Sequence, residues 1–136
     1  RLECVSEATR YNEMNVLSMY GLLGAYSDEG REWVAQLREV LGENVDWACR
    51  YIAAHFHGVK VSRPQGTYML FIDCADWCAA HGKTMDELLR MGYEVGVLWQ
   101  DGRAFHGASH IRLNLALPKA KLEEAFARLD QYVFNA

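Results

Sequence analysis

The sequence predicts an α+β two-layer sandwich, a small and mainly antiparallel sheet with helices packed on one face. Three observations carry this. The hydrophobic pattern runs helix, helix, two strands, helix, two strands, helix along the chain. Residues 110–118 alternate as in a half-buried strand: Ile111, Leu113, Leu115 and Leu117 face one way, and His110, Arg112, Asn114 and Ala116 the other. The 136 residues, 51% hydrophobic and 24% charged, are enough for one domain with a real core.

Each element has its own warrant. Residues 8–26 are expected to be helical, with Met14, Leu17, Met19, Leu22 and Leu23 as the apolar stripe and Tyr11, Tyr20 and Tyr26 around it. Gly21 and Gly24 interrupt that helix at about 1 kcal/mol each relative to Ala. Its apolar residues cover more than one face, so it needs partners on several sides. Ser27 or Asp28 caps a long helix over 29–56, in which Trp33, Val34, Leu37, Val40, Leu41, Val45, Ala48, Ile52 and Phe56 recur at steps of three and four. Gly42 bends it without ending it, and Gly58 closes it. Residues 59–61 form a short strand, 62–66 a turn, and 67–74 a stronger strand with both faces covered, so the two make a hairpin. Residues 73–82 are irregular or a short helix. Thr84 followed by Glu87 is a capping-box pattern that opens a helix ended by Gly92. Residues 94–99 are expected as a strand, 100–109 as a loop, 110–117 as the last strand and 119–134 as the final helix.

Composition excludes several functional classes. The net charge is −4 and no basic run occurs, which argues against a nucleic-acid partner. No apolar stretch has the length of a membrane span, and the opening residues contain no signal-peptide h-region. The first residue is not Met, and the opening reads like the middle of a longer chain. Cys4, Cys49, Cys74 and Cys78 form no recognisable disulfide framework and are expected to be reduced thiols. Cys74, Cys78 and His81 lack the further ligands that a zinc site needs. His55 and His57 are two residues apart, on different helix faces, and read as cations near a helix C-terminus rather than metal ligands.

The residue that points to chemistry is Arg112. A guanidinium in mid-strand must be paired, solvated or waiting for an anion. Its planar fork matches a carboxylate through two parallel N–H donors, which Lys cannot reproduce. The competing reading is a structural pair with Asp73 or Glu94.

At this point the chain resembles a known family. Residues 111–118 with the following Leu-Glu-Glu-Ala-Phe-Ala-Arg-Leu helix look like the end of a fold-type I pyridoxal phosphate (PLP) enzyme of the class I/II aminotransferase superfamily, most closely the MalY/PatB branch of cystathionine β-lyase-like C–S lyases. Asn15-Val16-Leu17 with Ala25-Tyr26 and Gly30-Arg31-Glu32-Trp33 fits that branch. So do Pro64-Gln65-Gly66-Thr67-Tyr68 before a strand ending at Asp73, and the Gly102…Phe105 loop ahead of the Arg112 strand. The resemblance implies that residues 1–136 are the C-terminal small domain of such an enzyme, with residues 1–28 packing toward a large domain. It implies that Arg112 grips the α-carboxylate of an amino-acid substrate, that the full-length enzyme uses PLP in the cytoplasm, and that it is a homodimer.

The resemblance also has departures. The family holds PLP through a lysine in its large domain. Lys60, Lys83, Lys119 and Lys121 stand in no Ser-x-x-Lys context, so none is assigned that role, and the chain alone is expected neither to hold PLP nor to turn over substrate. No residue here is assigned as catalytic, cofactor-binding or metal-binding. His106 stands where the family usually has Gly. The expected function is therefore the substrate-carboxylate-binding domain of a PLP-dependent C–S lyase. The alternatives are the same domain of an aminotransferase, or a non-catalytic small-ligand or dimerisation module.

Overall fold

A computed structural model describes residues 2–9 and 15–135. The chain divides into two compact units, residues 1–38 and 39–136. The first contains helix α1 (Leu2–Thr9), helix α2 (Val16–Ala25) and the start of helix α3 (Asp28–His55). The expected single helix over 8–26 is thus two helices, and the part of it over 10–14 lies outside the described residues. Asn15 is the reason for a fresh start: its side chain accepts the Ser18 N–H at 2.9 Å, an N-cap. No residue of α2 is buried, and Leu17, Tyr20 and Leu23 are among its exposed apolar side chains. Ser27 caps α3 by accepting the Gly30 N–H at 3.1 Å. Gly42 leaves α3 unbroken, as expected.

The second unit is built on a four-stranded antiparallel sheet in the order β1-β2-β4-β3. Its strands are β1 (Lys60–Val61), β2 (Met69–Asp73), β3 (Gln100–Asp101) and β4 (His110–Asn114), with helices α4 (Ala75–His81), α5 (Met85–Glu94) and α6 (Lys119–Leu129) between and after them. The last helix ends in a π turn, Asp130–Phe134. On one face, Leu70 and Ile72 of β2 and Ile111 and Leu113 of β4 join Val45, Ala48 and Ile52 of α3, Trp77 of α4, Leu88 of α5 and Phe126 of α6 in one core. This is the α+β sandwich the sequence predicts.

Three buried side-chain donors in that core find backbone acceptors. Buried Asn44 donates to the carbonyls of Leu115 and Leu117, both at 3.0 Å, and so fastens α3 to the chain leaving β4. The Trp99 indole donates to Leu89 O at 3.1 Å and that of Trp77 to Phe134 O at 3.3 Å. Leaving such buried donors unpaired would cost about 1–3 kcal/mol each.

Three expectations are corrected. Gly92 does not end α5, which runs to Glu94; a Cβ on Gly92 would stand 2.3 Å from the Trp99 ring, so glycine here permits close approach. Residues 95–99 are not a strand. Val95 N–H and Val97 N–H bond back to Met91 O and Gly92 O of α5, and only residues 100–101 pair with β4. The other face of β2 is not covered, since Phe71 remains 39% exposed. The Thr84–Glu87 capping box forms as predicted, with the Glu87 carboxylate on the Thr84 N–H at 2.8 Å and the Thr84 hydroxyl on the Glu87 N–H at 3.2 Å.

Candidate functional site

The pleat sends alternate side chains of β4 to opposite faces, so Ile111 and Leu113 go to the core and Arg112 to the open face. Phe71 of β2 and Gln100 of β3 lie directly opposite Arg112 on the two flanking strands. Period two thus places Phe71 beside the cation, while Gln100, expected in a loop, joins it from β3.

Arg112 is half-buried and borders a cleft of about 260 Å³ lined by Thr67, Met69, Leu70, Phe71, Phe105 and Arg112. Its guanidinium carbon lies 4.4 Å from the centroid of the Phe105 ring. Neither acid proposed as its internal partner pairs with it. Asp73 accepts from the Ala75 N–H at 3.0 Å and the Ser109 hydroxyl at 2.8 Å, and Glu94 lies 3.5 Å from Arg90. The Ala75 N–H chiefly, then Ser109, His110 and Lys60, hold the Asp73 carboxyl below its usual range. Among the described residues, no carboxylate forms an ion pair with Arg112. The cleft therefore joins one charged fork to an apolar wall, a surface shaped for a small anion with an organic body.

Phe105 comes from a single 3-10 turn, Gly102–Phe105, where the sequence predicts a loop. Asp101 caps this turn by accepting the Arg103 N–H at 2.9 Å. The Arg103 side chain returns to both Asp101 oxygens and reaches Asp86 of α5. His106 closes the turn in the left-handed region at φ 64°, a conformation that favours glycine. Glycine would meet this φ freely, and His106 meets it under strain. Its φ recurs at Thr67, which has φ 70° and lines the cleft. Sequence reading missed Thr67, Met69 and Phe71 as lining residues, although the same period-two count that singled out Arg112 places Met69 and Phe71 beside it.

The other candidates lie elsewhere. None of Lys60, Lys83, Lys119 and Lys121 lines the Arg112 cleft. Lys60 pairs with Asp76 at 2.7 Å, Lys121 with Glu124 at 3.0 Å, and the Lys119 ammonium sits 3.6 Å from the Trp47 ring centroid. Cys74 is buried, which raises its thiol pKa, and the Cys78 sulfur lies 3.8 Å from that of Met85. His55 stacks on Tyr51 and lies 3.4 Å from Asp130. Among the described residues, no three His, Cys, Asp or Glu side chains gather as a metal site, and no helix is long and apolar enough to cross a membrane.

No protein-family model matches the chain. The chain is 32% identical over 120 residues to a cystathionine β-lyase of Corynebacterium glutamicum, covering 83% of this chain and 30% of that protein. Its fold superposes at a TM-score of 0.84 and 29% identity on a PLP-bound structure from Clostridium difficile 630 described as an aminotransferase, covering 96% of this chain and 33% of that one. It superposes at a TM-score of 0.80 on the PLP-bound C–S lyase of Staphylococcus hominis, where 18% identity makes the likeness one of fold. The chain spans about 30% of the length of the curated relatives it matches. By sequence the chain is similar to cystathionine β-lyases, and by fold to PLP-bound C–S lyase and aminotransferase structures, over about a third of their length.

Proposed function

We propose that this chain is the substrate-carboxylate-binding C-terminal small domain of a PLP-dependent C–S lyase of the cystathionine β-lyase type. One observation supports it above the rest: Arg112 stands on the open sheet face, beside a cleft, with its fork toward no carboxylate of the described residues. The α-carboxylate of an amino acid is the natural mate of that fork. Phe71, Phe105 and Met69 supply an apolar wall beside the fork for the body of such a substrate.

The residues of this chain do not fit a PLP site, because none of the four lysines faces the cleft. No step of the reaction is therefore routed through the cofactor from these residues. In this reading PLP is held by a large domain outside these 136 residues, onto which residues 1–28 pack. The full-length protein is a cytoplasmic homodimer. The exposed apolar side chains of α2 support that packing, since patches of this kind are usually covered.

An aminotransferase is the second reading, favoured by the 29% identity to the Clostridium difficile protein. Release of ammonia and a thiol from a thioether amino acid, with no 2-oxo acid required, supports the lyase. Strict dependence on a 2-oxo acid acceptor supports the transferase.

The test of the site is Arg112→Lys in the full-length enzyme. Lys keeps the charge and loses the fork. KM for the amino acid is expected to rise about 10- to 100-fold, the worth of a charge-assisted hydrogen bond. An unchanged KM removes Arg112 from the site.

A further inference from the structure

We infer that Phe105 is a positioning residue for Arg112: it fixes the plane of the guanidinium so that its N–H edge stays available to a substrate carboxylate. The inference rests on the carboxylate-binding reading above and deepens it.

A guanidinium offers two different surfaces. Its five N–H donors lie in the plane, and its faces accept a stacked ring. A carboxylate partner inside the protein would occupy the edge. A ring on the face restrains the group while leaving every donor free. The guanidinium carbon lies over the Phe105 ring, 4.4 Å from its centroid, and we take the ring to meet the guanidinium at its face.

The ring is itself held. Asp101 and Arg103 clamp the start of its turn, and Arg103 carries that clamp to Asp86 on α5. The far end is closed by Gly107 N–H on Gly102 O at 3.0 Å. Both glycines press on the sheet. A Cβ on Gly102 would stand 2.3 Å from His110 O, and one on Gly107 would stand 2.3 Å from the Phe71 ring and 2.8 Å from the His110 side chain. His110 in turn stacks on Phe71 with centroids 4.4 Å apart. The turn is seated against β2 and β4 at both ends, which fixes where the Phe105 side chain leaves the backbone beside Arg112.

The inference separates ring from bulk. In the full-length enzyme, Phe105→Leu keeps an apolar side chain and removes the π face. KM for the amino acid is expected to rise roughly 2- to 30-fold, with kcat changed less than KM, the range of a cation–π contact from exposed to desolvated. Phe105→Tyr, which keeps the ring, restores most of the affinity. A second readout needs neither cofactor nor turnover. In the ¹⁵N spectrum of the 136-residue chain, the Arg112 Nε–H is shifted by the ring above it, and that shift disappears in Phe105→Leu and persists in Phe105→Tyr. Wild-type KM and an unmoved Nε–H in Phe105→Leu, alongside a raised KM in Arg112→Lys, overturn this inference and leave the carboxylate reading standing. Wild-type KM in both variants overturns both.

Discussion

The two faces of the sheet are made from the same two strands and have opposite characters. On the helix side, Leu70, Ile72, Ile111 and Leu113 are between 0% and 6% exposed. On the other, Phe71 is 39% exposed and Arg112 lies half-open beside a cleft. Consecutive residues of β2 and β4 thus do different work. One face supplies stability through dense packing, and the other carries a charged group with no carboxylate partner among the described residues. A sheet with one covered face is the ordinary antiparallel solution. A cation placed centrally on the uncovered one is the departure that calls for a function.

Substitutions can break or sharpen this contrast. The largest effect is expected on the covered face: Ile111→Ala leaves a cavity under the helices and should destabilise by about 2–5 kcal/mol, measured by denaturant unfolding. Next comes a place where the open face is tightly packed. Gly107→Ala pushes a methyl group into Phe71 and His110 and should cost about 1–3 kcal/mol. A neutral Gly107→Ala would mean that the turn is not seated on the sheet. The smallest effect has the opposite sign. His106→Gly relieves a left-handed residue and should stabilise by roughly 0.5–1 kcal/mol, seen as a rise in Tm.

The sequence made the local architecture legible where one period or one cap dominated. The three- and four-residue steps of α3, the Thr84–Glu87 box and the alternation of β4 all correspond to observed elements. It misled where apolar residues alternated for another reason. Val95, Val97 and Trp99 mimic a strand, yet their backbone bonds return to α5 while Val97 and Trp99 fill the core. Gly92 read as a terminator because glycine signals both chain ends and close contacts, and only its neighbour Trp99 distinguishes them. The candidate site was half legible. Arg112 stood out because a mid-strand guanidinium has few explanations. Phe105 was visible only as part of a loop motif, since nothing in a ten-residue loop says whether its ring will fold back over the strand that follows it.

The measurement that bears most directly on the central claim is a crystal structure of the full-length enzyme with an unreactive amino-acid analogue bound. The account predicts the analogue's carboxylate paired in parallel with two N–H groups of Arg112, at about 2.7–2.9 Å, with Phe105 still stacked on the guanidinium. A carboxylate held by other groups, with Arg112 turned to solvent or to an acid of its own chain, would contradict it.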